Sequence, residues 1–411
     1  MGAANPVFPK FPNDPRKDEA RAPAERRRRL AAFLRDEGIA FALVTRPLHI
    51  AYLTGMFLEP HERFVGLLLF PEGESLLVVP AVEDVAGDLP VLRYRDGEDP
   101  YRAVGAHVRK VLARGDLPGG TGKEIRIGVE EEHLTLARAA RLAAGLAREG
   151  LSPHRLCSVD GALREMRAVK GPEELAALAR AARDTDALLA AWIRELRPGM
   201  SEREAVRILE RLRDEAGFGP FAFDPIVLTG ERTALPHGVP GDAPLRPWSL
   251  LLVDVGVTCC GYAGDLTRTY VLVGAGPAPR EERQTWERLY RAVEEAQTAA
   301  LAAVAVGRPY AEVDRAARGV LERYGLAEYF VHRTGHGLGL EIHEAPQVAP
   351  DSQERATSGH VFTVEPGVYI PGVGGVRIED VVALAEAGVE VLTRSPKAWD
   401  SVLLSLPPSM A

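Results

Sequence analysis

The feature that most restricts how this chain can fold is a carboxylate set inside an apolar, strand-like run. Leu251-Leu252-Val253-Asp254-Val255-Gly256 puts Asp254 where its neighbours demand burial. An unpaired buried carboxylate costs several kcal/mol, so the fold must bring positive charge to it. The conflict recurs further along the chain. Glu365 lies in Phe362-Thr363-Val364-Glu365-Pro366-Gly367, and Glu379 in Gly375-Val376-Arg377-Ile378-Glu379-Asp380. Asp265 sits in Gly264-Asp265-Leu266-Thr267-Arg268-Thr269-Tyr270, and His336 and His343 share the stretch from Thr334 to Glu344. Two Asp, two Glu and one His brought together would repel strongly without cations. A pair of divalent metal ions resolves the conflict, and oxygen-rich ligands with one imidazole suit Mn²⁺, Co²⁺, Fe²⁺ or Zn²⁺ rather than copper.

Strand periodicity sharpens the picture. Residues two apart share a face, so Arg377 lies beside Glu379, and Asp265 beside Thr267. Asp254 and Asp265 are expected to oppose each other across a hairpin turning near Cys259 to Gly261. The glycines around His336 are expected to allow close backbone approach to the site.

Composition limits the class of protein. With 411 residues, 46% hydrophobic and 26% charged, the chain is globular and long enough for two or three domains. A net charge of −8 disfavours a broad electrostatic nucleic-acid binder. The three cysteines, Cys157, Cys259 and Cys260, make no disulfide framework. Adjacent Cys259 and Cys260 on a strand would point to opposite faces, so no bridge is expected between them. A reducing cytoplasm fits this usage. The N-terminal residues are polar and Pro-rich and do not read as a secretory signal. The longest apolar run, Phe64 to Phe70, falls far short of the ~20 residues a membrane helix needs. Gly119 to Glu124 lacks the spacing of a phosphate loop and reads as a turn.

The expected organisation is a loose arm over 1–22, an α/β unit over 23–165, and a larger unit over 166–411. The first unit opens with a helix from Pro23 to Arg35. Strands follow at Ile39–Val44, Phe64–Phe70, Ser75–Val79 and Ile125–Val129. In the second, Glu173–Leu196 reads as a helix, and Ser201 with Glu204 forms a capping box for a helix over Glu202–Ala216. Short β segments then run from Ile226 onward, interrupted by one helical region from Arg280 to Tyr324.

At the acidic and histidine segments the sequence resembles the dinuclear metallopeptidases of the pita-bread fold. These include methionine aminopeptidase, aminopeptidase P, prolidase (Xaa-Pro dipeptidase) and the metal-free creatinase. The likeness spans about residues 165 to 395, and the preceding unit resembles the creatinase-like N-terminal domain. It therefore implies an α+β protein in which a pita-bread catalytic domain follows an α/β domain. The N-terminal domain points to the prolidase and aminopeptidase P branch. The resemblance implies that Asp254 chelates one metal, that His336 and Glu365 bind the other, and that Asp265 and Glu379 bridge the two. It gives His237 and His343 substrate-side roles, with His343 at the developing oxyanion. It places Arg377 near the substrate and leaves His332 as a substrate-side or supporting hydrogen-bonder.

The implied reaction is hydrolysis of the Xaa-Pro bond of dipeptides by a water shared between two metals, probed most naturally with Mn²⁺. Glu365 would carry the proton, and a homodimer would be the working form. Aminopeptidase P activity on longer peptides is the alternative, with a metal-free peptide-binding homologue behind it. One departure bears on that choice. Many prolidases carry Arg after His-Glu-x-Pro, where it can hold a dipeptide carboxylate; here Gln347 follows His343-Glu344-Ala345-Pro346. Within the Glu59–Arg63 loop, Pro60-His61-Glu62-Arg63 resembles a segment of a subgroup of bacterial Xaa-Pro dipeptidases, and reads equally as a charged loop at a domain edge.

Overall fold

The computed structural model describes residues 22–406 apart from 86, 88, 115–123, 153, 275, 277 and 278. The expected N-terminal arm and most of the Gly119–Glu124 turn lie outside these residues. The chain divides into two compact units with the boundary between Met166 and Arg167.

The first unit is a six-stranded mixed sheet in the order β4-β3-β2-β1-β5-β6. Its strands are β1 (Phe41–Val44), β2 (Gly66–Leu69), β3 (Ser75–Pro80), β4 (Val91–Tyr94), β5 (Ile125–Val129) and β6 (His154–Ser158). The fully buried runs β1, β2 and β3 stand where continuous apolar residues predict them. Strands β4 and β6 carry Arg93 and Arg155 and are only partly buried, so they lack that signal. The helix Pro100–Leu112 is capped by Asp99, with Pro100 in its first turn, and Leu136–Arg148 is capped by Thr135. These two helices cross closely through Gly105 and Gly145. A Cβ on Gly145 would lie 2.4 Å from the Tyr101 carbonyl oxygen. In the Glu59–Arg63 segment, Arg63 forks onto both carboxylate oxygens of Asp96 at 3.1 Å.

The second unit holds two larger sheets and two hairpins. One sheet has the order β19-β11-β8-β7. It is built from β7 (Ile226–Thr229), β8 (Ser249–Asp254), β11 (Thr267–Val273) and β19 (Leu403–Ser405). Between β8 and β11 lies the hairpin of β9 (Thr258–Cys259) and β10 (Tyr262–Ala263). The other sheet, in the order β13-β12-β14-β17-β18, uses β12 (Gly335–Gly337), β13 (Glu344–Val348), β14 (Val361–Val364), β17 (Asp380–Ala385) and β18 (Gly388–Val391). The second hairpin joins β15 (Gly367–Ile370) to β16 (Gly374–Arg377).

The helix Pro172–Trp192 ends one turn short of its expected end at Leu196. Glu202–Ala216 has the expected bounds and its reciprocal Ser201/Glu204 capping box. The single helical region expected over Arg280–Tyr324 is two helices, Arg280–Ala303 and Tyr310–Arg323. Gly307, at φ +82°, and Pro309 break it.

The expected hairpin turns at Cys260-Gly261, both at positive φ (+52° and +82°), the backbone of a type I′ turn. That turn overturns the expectation that the two thiols diverge. Cys260 is in the turn and not on a flat strand, so the sulfurs lie 3.8 Å apart, and both cysteines are free. Among the described residues, no helix is long and apolar enough to cross a membrane.

Candidate functional site

Each acid of interest is set by a strand end in the second unit. Leu250 to Val253 are buried, and the run delivers Asp254 to the last position of β8, opposite Thr267 of β11. The β9–β10 hairpin then returns the chain, so Asp265 arrives just before β11. Glu365 follows β14, where its N–H donates to the Thr334 carbonyl at 2.8 Å. Glu379 lies between β16 and β17, with its N–H on the Thr267 carbonyl at 3.2 Å.

His336 is the central residue of β12. Its glycine neighbours serve strand packing. A Cβ on Gly335 would lie 1.9 Å from the Thr363 carbonyl oxygen, and one on Gly337 would lie 2.0 Å from that of Ala345. The close backbone approach expected here is thus to neighbouring strands.

These elements bring all nine sequence-predicted site residues around one cavity of about 430 Å³: His237, Asp254, Asp265, His332, His336, His343, Glu365, Arg377 and Glu379. Ligand atoms of Asp265, His336 and Glu379 lie within 4.8 Å of one another. His336 Nε2 is 3.2 Å from Glu365 Oε1 and 3.7 Å from Asp265 Oδ2. Arg377 reaches Asp254 Oδ2 at 2.6 Å through Nη2, and its Nε donates to the Thr267 hydroxyl at 3.0 Å. The Thr267 hydroxyl donates in turn to Glu379 Oε2 at 2.6 Å.

The electrostatics of this cluster are those of carboxylates short of cations. Burial, then the neighbouring charges of Glu379, Asp254 and Glu365, push Asp265 well above the ordinary carboxylate range. Burial, then Glu365 and Asp254, do the same to Glu379. Asp254 is raised by burial in spite of Arg377. Burial also opposes ionisation of Glu365, yet the hydrogen bond and charge of His336 prevail and hold it down at about 2. Asp254 Oδ1 is buried with no hydrogen-bond partner among the described residues. Four carboxylates, one of them with an orphaned oxygen, and one imidazole fit hard or borderline divalent ions, which would supply the missing positive charge.

Several residues that hold this arrangement carry no signal in the sequence. The Tyr369 hydroxyl accepts from Arg377 Nη1 at 2.8 Å and contacts His332 Nε2 at 2.9 Å. His332 Nδ1 donates to the Arg333 carbonyl at 2.8 Å, so both ring nitrogens of His332 are engaged. The Thr363 hydroxyl donates to Glu365 Oε1 and accepts from the His336 N–H, both at 3.1 Å. Asp314 receives the Thr334 N–H and hydroxyl at 3.1 and 2.8 Å, and Arg318 clamps Asp314 and the His332 carbonyl. Below Glu379, Asp380 is buried and holds Arg268 at 2.7 Å, with Gln297, Thr393 and Lys397 on its remaining lone pairs. By contrast, His332, Arg377 and Thr267 carry a sequence signal, Thr267 as the residue sharing a face with Asp265.

Nearer the opening, the His343 ring meets His336 edge-on at 4.2 Å between centroids. Burial, then the charge of His336, lowers His343 to about 4. Phe223, Ile226 and Ile342 add apolar wall.

Residues 176–386 match metallopeptidase family M24, and residues 26–169 match the creatinase/prolidase N-terminal domain. An uncharacterized peptidase of Staphylococcus aureus (strain bovine RF122 / ET3-1) is 35% identical over 361 residues, covering 87% of this chain and 95% of that protein. The structure of an Xaa-Pro dipeptidase from Bacillus anthracis superposes with a TM-score of 0.80 at 28% identity, covering 93% of this chain and 100% of that one. The structure of an X-Pro aminopeptidase from Thermotoga maritima MSB8 does so at 0.76 and 28%, covering 88% and 97%. The α+β architecture, with a creatinase-type domain before a pita-bread domain, is that of these relatives.

Proposed function

The chain belongs to metallopeptidase family M24, and from that premise we propose that it is an Xaa-Pro dipeptidase whose catalytic domain is residues 166–411. The observation that carries the reading is the convergence of Asp254, Asp265, His336, Glu365 and Glu379 on one cavity with an orphaned carboxylate oxygen. These five would hold two divalent ions, with Mn²⁺ our first choice. Bound there, such ions would polarise a scissile carbonyl and lower the pKa of a water.

The chain's own groups divide the remaining work. Glu365, held ionised beside His336, accepts a proton at a carboxylate oxygen and passes it to the leaving nitrogen. His343 is neutral at pH 7, so it can donate a ring N–H to the developing oxyanion. His237, which also lines the cavity, orients the substrate. His332 has both nitrogens engaged, and we assign it to buttressing Tyr369 and Arg377. Proline after the scissile bond makes a tertiary amide without an N–H, so the pocket needs to offer that amide shape and no acceptor. Phe223, Ile226 and Ile342 suit the ring. Free thiols support a reducing cytoplasm, and the family resemblance supports a homodimer.

A second reading, removal of the first residue from longer Xaa-Pro peptides, is favoured by the likeness to the Thermotoga maritima enzyme and by Gln347. The Gln347 amide donates to the Glu344 carbonyl at 2.9 Å and brings no charge to a substrate carboxylate. Comparing Xaa-Pro dipeptides with Xaa-Pro-Xaa tripeptides, with and without Mn²⁺, decides the matter. Metal-dependent cleavage of dipeptides supports the proposal, and cleavage of tripeptides alone supports the second reading. No cleavage and no metal uptake would leave a peptide-binding homologue.

A further inference from the structure

We infer that a buried ion cluster of Arg167, Lys170, Glu341 and Glu344 sets the position of His343 at the cavity, with Lys170 and Glu344 as positioning residues for the reaction. The inference rests on the peptidase reading and deepens it, by naming what aims the oxyanion donor.

His343 needs support from outside its own ring. It ends a stretch, Leu338 to His343, that is neither helix nor strand. The residue is exposed, and among the described residues its ring makes no hydrogen bond; it only meets His336 edge-on. A group that donates to a developing oxyanion has to be held to within about 0.5 Å of its working position. The backbone that carries His343 must therefore be fixed by its neighbours.

Glu344, the next residue, supplies the anchor. The stretch before it folds around its carboxylate: a Cβ on Gly339 would lie 2.3 Å from Glu344 Oε1, and the Glu341 N–H donates to Oε2 at 3.4 Å. Lys170 Nζ donates to Oε1 at 2.8 Å. Arg167 Nη2 holds Oε2 and, at 2.7 Å, Glu341 Oε2 as well. One guanidinium thus ties the middle of the stretch to its end. Lys170 is itself fixed, with its N–H on the Gly359 carbonyl at 2.9 Å and its ammonium on the Ala168 carbonyl at 3.3 Å. The Lys170 side chain is fully buried, and those of Arg167 and Glu344 nearly so. Burial opposes ionisation of Glu344, yet the charges of Lys170 and Arg167 hold it below the ordinary carboxylate range. Two cations and two anions balance. Such a cluster returns little net stability for its desolvation cost. What it fixes is geometry, and the geometry it fixes is that of the residue beside it, His343.

The test is a double-mutant cycle on the Mn²⁺-loaded full chain, using whichever Xaa-Pro peptide the wild type cleaves. Glu344→Gln keeps the shape and removes the charge; Lys170→Met does the same from the other side. Each should lower kcat by about 10- to 100-fold, the cost of a displaced catalytic group. KM and bound metal should stay near the wild-type values, because neither residue lines the cavity. His343→Ala supplies the second arm. In that background, Glu344→Gln should lower kcat no further, since a residue that acts through His343 has nothing left to position. Should Glu344→Gln not fold, Lys170→Met carries the same cycle. Losses that multiply in the double variant, an unchanged kcat in a folded single variant, or loss of metal together with activity would each overturn the positioning role and leave the peptidase reading intact. A wild type that cleaves neither dipeptides nor tripeptides would overturn the reading itself, and the positioning role with it.

Discussion

Thr267 links Arg377 to Glu379 through one hydroxyl in the proposed metal site, and replacing it by valine tests the scheme sharply. The change is isosteric and keeps β-branching at the first residue of β11, so the strand is not expected to distort. What it removes is a buried hydroxyl that donates to Glu379 Oε2 at 2.6 Å and accepts from Arg377 Nε at 3.0 Å. Hydrogen bonds to charged groups are worth about 1.5–3 kcal/mol each. Arg377 keeps three other partners, so its share falls at the low end, and the combined loss comes to about 3 kcal/mol. For a unit of this size about 1 kcal/mol moves Tm by about 2–4 °C, so the chelated variant should melt roughly 6–12 °C lower. With Mn²⁺ present the gap should narrow, because ions on Glu379 replace the lost donor. Thr267→Ser keeps the hydroxyl and should cost only the methyl group, about 1 kcal/mol. Thermal unfolding of the three proteins, with and without chelator, gives the comparison. A valine variant melting within about 2 °C of wild type, below the shift of 1 kcal/mol, would refute the role given to this hydroxyl.

Other outcomes follow from the same geometry. Asp265→Asn should abolish metal loading and activity together, read by metal analysis of the purified protein beside the dipeptide assay; full activity would sink the assignment. Glu365→Gln should lower kcat by about 10²- to 10⁴-fold, the usual value of a positioned acid–base group, and a near-normal pH–rate profile in that variant would exclude it as proton carrier. Burial, then the charge of Lys170, lowers His360 to about 4, and the unfolded chain takes up that proton near 6.5. Its contribution to stability is therefore present above about 6.5 and is lost as pH falls toward 4, by up to about 3 kcal/mol. His360→Gln, which can still meet the Tyr310 hydroxyl, should flatten denaturant-measured stability across that interval.

Much of the site was legible because burial and ionisation are opposed wherever an acid interrupts an apolar run. Asp254, Asp265, Glu365 and Glu379 announce themselves in that way, and all four line the one cavity. The same rule also shows its limit. Glu130 follows the apolar strand β5 and is fully buried, so in sequence it resembles Asp254. In the fold it is satisfied locally, taking the N–H groups of Thr45 and Arg46 and the His49 ring nitrogen, at 2.5, 2.8 and 2.5 Å. Nothing in a one-dimensional pattern tells a carboxylate paired by the protein from one awaiting a cation. The partners lie more than eighty residues away.

What the sequence determined alone were the local matters: the Ser201 cap, the turn between Asp254 and Asp265, the apolar strands, and the demand that buried acids be neutralised. These depend on backbone preferences and side-chain polarity within a few residues. The tertiary structure decided the rest. It placed Tyr369 between Arg377 and His332, made Thr267 the hinge between a guanidinium and a carboxylate, and gave every nitrogen of the Arg377 guanidinium a partner. Each of these is a hydrogen bond between strands or loops far apart in the chain. Its partner is chosen by sheet register and packing, which no single segment encodes.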